Sequence, residues 1–89
     1  MALWSLTPLQ PEDPSWEASS YRGVVIVRAP NEARAREAAA KAFDVKTRFE
    51  PGAGVHFPPW TRPALVKAER IRDPRFAAEG PTEVLEPRL

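Results

Sequence analysis

Only one side chain in this chain has an ordinary pKa near neutrality, His56. As a general base it needs an acidic group to orient it and a nucleophile within reach. Asp44, Asp73 or a glutamate could orient it, but no spacing brings one to it. The chain has no cysteine, which excludes thiol catalysis, disulfide frameworks, cysteine zinc sites and iron–sulfur centres. One histidine among scattered carboxylates supplies no metal ligand set, and no cofactor is implied. Glu12, Asp13 and Glu17 lie in a proline-rich stretch and read as a solvated acidic segment rather than a catalytic carboxylate pair. Gly52 and Gly54 lack the third glycine and the strand–turn–helix setting of a nucleotide loop. Enzymatic chemistry therefore ranks last.

Binding chemistry is better represented. The run His56-Phe57-Pro58-Pro59-Trp60-Thr61-Arg62 combines a stiff backbone, a large flat ring and a planar donor fork. On one reading His56, Trp60 and Arg62 face a protein partner. On the other, Phe57 and Trp60 fold back to complete the core, and Trp4, Trp16 and Trp60 form one cluster. A second candidate surface is the basic middle of the chain, Arg34, Arg36, Lys41, Lys46 and Arg48, where nucleic acid is the alternative ligand. Glu32, Glu37 and Glu50 interrupt these patches and the net charge is only +1. No zinc-finger spacing, paired RNP-like aromatics or KH-type loop accompanies them.

The elements that must position these residues are legible from local pattern. Val24-Val25-Ile26-Val27 is a β-branched run, so residues 21–28 read as a central strand. Pro30 stops it, and Asn31 is placed to cap a helix over residues 32–43. At about 100° per residue, Ala35, Ala38, Ala39, Ala42 and Phe43 share one stripe, with Phe43 its only large anchor. Residues 65–71 and 82–86 read as a C-terminal hairpin, and residues 2–7 and 45–49 as edge strands. Pro8, Pro11 and Pro14 recur every third residue, the period of an extended polyproline strap over residues 8–16. Residues 51–63 form a Gly/Pro-rich loop.

Length bounds the whole. The chain has 89 residues and is 43% hydrophobic, but 14 of its residues are alanines of small apolar area. One layer packed on another is the most such a chain can build. The expected architecture is a single α+β domain, residues 1–89, with a single-layer sheet of three to five strands against one helix. The strand–helix–strand order suggests a split β-α-β core. The other sheet face must then be solvated, closed by proline segments or buried against a second copy, so a homodimer is one expectation. No stretch reaches the roughly 20 apolar residues of a membrane span, and a soluble cytoplasmic location is expected. The functional expectation is a small non-catalytic domain that binds a protein partner or its own copy.

Overall fold

A computed structural model describes residues 1–43 and 59–87. Its strands are β1 (Ala2–Pro8), β2 (Val25–Ala29), β3 (Val66–Ile71) and β4 (Glu83–Glu86), with one α-helix, α1 (Glu32–Ala42). They form a small α+β domain in which one four-stranded antiparallel sheet, ordered β3-β1-β2-β4, packs against α1. Because β2 and β3 both run antiparallel to β1, they are parallel to each other. The unit β2-α1-β3 is thus a split β-α-β with β1 inserted between its strands.

Local chemistry explains the two strongest elements. β2 is buried along its whole length, as its β-branched run requires of a strand covered on both faces. The Asn31 side chain accepts a hydrogen bond from the Arg34 N–H at 2.9 Å, so α1 begins where a cap satisfies an otherwise unpaired donor.

Strand order departs from the sequence-based expectation twice. Residues 2–7 are not an edge strand: β1 pairs with β2 on one side (Trp4 opposite Val27) and with β3 on the other (Leu6 opposite Ala68). Its buried Ala2, Leu3 and Leu6 use both sheet faces. Residues 65–71 and 82–86 are not a hairpin either, because β3 pairs with β1 and β4 with β2, at opposite edges. The proposed strand over 45–49 lies outside the described residues. Pro14–Ala18 is a turn of 3-10 helix capped by Asp13 rather than a polyproline run, and its Trp16 is fully buried.

Pairing sorts the side chains by face. Leu6, Val25, Val27, Ala29 and Val66 join Ala35, Ala39, Phe43, Trp16 and Trp60 in the core beneath α1. Leu3, Ile26 and Arg28 lie on the opposite face, yet each is buried. What shelters Arg28 is the connection from β3 to β4. The Arg28 guanidinium donates to the carbonyls of Ala77 and Pro81, each at 3.0 Å, and is ion-paired with Glu83. Gly80 passes so close that a Cβ there would stand 2.9 Å from Arg28 Cζ, and its φ of 140° favours glycine. Residues 72–82 are therefore a strap across the helix-free face, held by Arg28 beneath it and by the Arg75–Glu86 ion pair at the β4 edge.

Replacing Arg28 with methionine keeps the stem and removes both strap contacts and the ion pair to Glu83 of β4. We expect a loss of about 2–3 kcal/mol, since hydrogen bonds to a charged group contribute about 1.5–3 kcal/mol and the freed carbonyls can turn to water. Urea unfolding checks it. An unchanged midpoint would remove Arg28 from this role.

Candidate functional site

The residues singled out by sequence do not converge on one surface. Trp60 is 1% exposed. Its ring meets Trp16 edge-to-face at a centroid distance of 5.1 Å and lies 5.7 Å from Phe43. Its indole N–H donates to the Ser19 hydroxyl at 2.9 Å. Trp60 therefore follows the core reading, and its flat face is not open to a partner. Trp4 packs at the margin of the same cluster. Arg62 is exposed and donates to the Ser15 hydroxyl at 3.2 Å. His56, Lys46 and Arg48 lie outside the described residues.

The helix cations divide in an unexpected way. Arg34 is exposed and paired with Glu37 at 3.2 Å. Lys41 is exposed, with no ion-pair partner among the described residues. Arg36 is buried: one guanidinium nitrogen donates to the Trp60 carbonyl at 3.3 Å, and another lies 3.6 Å from Glu32. It is thus unavailable to a basic surface patch. The covered face of α1 is Ala35, Arg36, Ala39 and Ala40, a stripe turned away from the expected one. Periodicity locates an alanine face, but Arg36 is drawn inward by a carbonyl that only the folded Pro59–Thr61 turn presents.

That rotation leaves Ala38 and Ala42 half-buried, and they line the feature that sequence reading missed. Between α1 and β4 runs an open groove of about 860 Å³, lined also by Lys41, Phe76, Val84 and Leu85. A second groove of about 880 Å³ lies toward Tyr21, Val24 and Ile26, and the two share Arg75, Phe76 and Leu85. Phe76 and Leu85 together form an apolar ridge between the two grooves. The only sequence signal for it is one aromatic residue in an otherwise breaker-rich segment.

Arg75 fixes this ridge. Its guanidinium pairs with Asp73 at 2.8 Å and Glu86 at 3.0 Å, and sits 5.1 Å from the Phe76 ring centroid. The hydrogen bonds from the Arg75 side chain, then that from its backbone N–H, hold the Asp73 carboxyl below its ordinary value. The same partner raises Arg75. Glu83, at the groove wall, is committed to Arg28. Of the charged residues lining the α1–β4 groove, Lys41 alone has no ion-pair partner among the described residues.

Chemically this arrangement can hold a ligand: apolar walls, one available ammonium group and a half-buried aromatic ring. No group of three or more His, Cys, Asp or Glu side chains is placed to hold a metal ion among the described residues. No described helix is long and apolar enough to cross a membrane. Comparison with protein-family models, with curated proteins and with solved structures finds no match to this chain.

Proposed function

We propose that this chain is a small protein-binding domain whose α1–β4 groove holds a segment pairing an apolar side chain with an acidic one. The observation behind this reading is the half-buried Phe76–Leu85 ridge beside Lys41. A partner's apolar side chain would displace water from Phe76, Val84 and Ala42, while its carboxylate would meet the ammonium group at the rim. Rigid aromatic anchors supply most of the energy in such contacts, and the rim charge sets orientation. The nucleic-acid alternative has less to draw on among the described residues, because Arg34 is paired with Glu37 and Arg36 is buried.

A random-peptide display library screened against the full chain tests the proposal. Enriched sequences are expected to pair an apolar residue with an acidic one. Phe76→Ser and Lys41→Glu should each weaken the best peptide by about tenfold or more, the size expected when a contact of about 1.4 kcal/mol is lost. No enrichment, or enrichment indifferent to both substitutions, overturns the reading.

A further inference from the structure

We infer that the β3 edge is a self-pairing surface through which two copies of this chain join their sheets, at the opposite edge from the groove. β3 is a six-residue edge strand, and no backbone group of Lys67–Ile71 bonds outward among the described residues. Charged side chains on a sheet edge commonly guard it against pairing. Here they alternate in sign: Lys67 and Glu69 share the helix-free face, are both exposed, and pair with each other at 2.6 Å. An edge guarded by one sign repels its own copy, whereas this one complements it.

Register makes the argument specific. Two β3 strands related by a twofold axis run antiparallel, as cyclic dimers require of a shared edge. With Ala68 opposite its own copy, Lys67 of each chain falls opposite Glu69 of the other. The two intrachain pairs then merge into one four-charge cluster. Sliding the pair to the next register that keeps both helices on one face puts either Lys67 or Glu69 opposite itself. A one-residue slip instead turns the second chain's helix to the other side. Only the Ala68-centred register satisfies both charge and face, and it pairs Val66 to Arg70 of each strand with the same span of the other. The product is a continuous eight-stranded sheet with its two β4 grooves at the far ends.

The charges supply the test, since Lys67 and Glu69 are exposed and leave the core untouched. The full chain should self-associate with concentration in sedimentation velocity, and circular dichroism should report the same fold for every variant. Lys67→Glu and Glu69→Lys should each weaken the dimer by about tenfold or more, because attractive cross-strand pairs become repulsive. Mixing these two variants should restore a dimer that native mass spectrometry identifies as the heterodimer. The exchanged double variant Lys67→Glu with Glu69→Lys should recover self-association. A wild-type chain that stays monomeric at millimolar concentration overturns the inference. So does a dimer indifferent to the single reversals, or a mixture of the two variants that yields no heterodimer.

Discussion

Replacing Trp60 with alanine is expected to destabilise the fold by about 3–5 kcal/mol, the range for truncating a buried aromatic residue. The ring is 1% exposed and joins the Pro59–Thr61 turn to Trp16 and Phe43. Its loss would open a cavity between segments that share little other apolar area, because the helix face above them is largely alanine. It would also strip the buried Ser19 hydroxyl of a donor at 2.9 Å. Trp60→Phe separates these effects: it keeps most of the ring and removes the N–H, so only about 1–2 kcal/mol should be lost. Urea midpoints measure both. If Trp60→Ala unfolds at the wild-type midpoint, the ring is not a core element and the surface reading of this residue returns.

Phe43→Ala is expected to cost a similar 3–5 kcal/mol, by a different route. Phe43 closes α1 as its C-cap residue, is 3% exposed, and its carbonyl accepts a hydrogen bond from the Ser20 N–H at 2.8 Å. Its ring lies 5.1 Å from that of Tyr21 and 5.7 Å from that of Trp60. Phe43 is therefore where the helix, the segment before β2 and the Pro59–Thr61 turn are joined. Since its ring touches that of Trp60, the two truncations should not add. The double variant should lose measurably less than the sum of the two, through a coupling of about 0.5–3 kcal/mol. Additive losses in a double-mutant cycle would mean that the rings act independently and that the cluster is not one unit.

These residues also mark how far the sequence could be read. The helix and β2 were legible because their signals are local: a cap, a breaker, a β-branched run and a 3.6-residue period act within a few residues. Phe43 was legible for the same reason, being the one large side chain on an alanine stripe. Strand order was not, because which edge β1 offers to which partner depends on pairing across most of the chain. Val66–Ile71 and Glu83–Glu86 look like hairpin arms in sequence, yet each pairs with a different inner strand. Arg36 shows the same boundary at one residue. Its place near the edge of the stripe could be computed, but the Trp60 carbonyl that draws it inward comes from another segment.

The candidate site was less legible than the fold. Trp60, the large ring of the conspicuous run, is a core residue, since a domain with an alanine-faced helix must find its large apolar surfaces elsewhere. The groove arises from Ala38 and Ala42 meeting Phe76 and Leu85, four unremarkable residues from three segments. No spacing rule joins them, and only the strap across the sheet brings Phe76 to the β4 edge.

The insertion of β1 between β2 and β3 bears on how the chain is made. Of the four strands β1 is made first and finds one partner soon afterwards in β2, but Leu3 waits for Ile71 on its other side. Until β3 has emerged, a strand destined for the middle of the sheet stands with one flank open. Pairings so distant in sequence slow folding, because loop closure must precede the contacts that reward it. The interval in which nascent chains are exposed to one another is set by this topology, and β1 is the strand through which mispairing between them would begin.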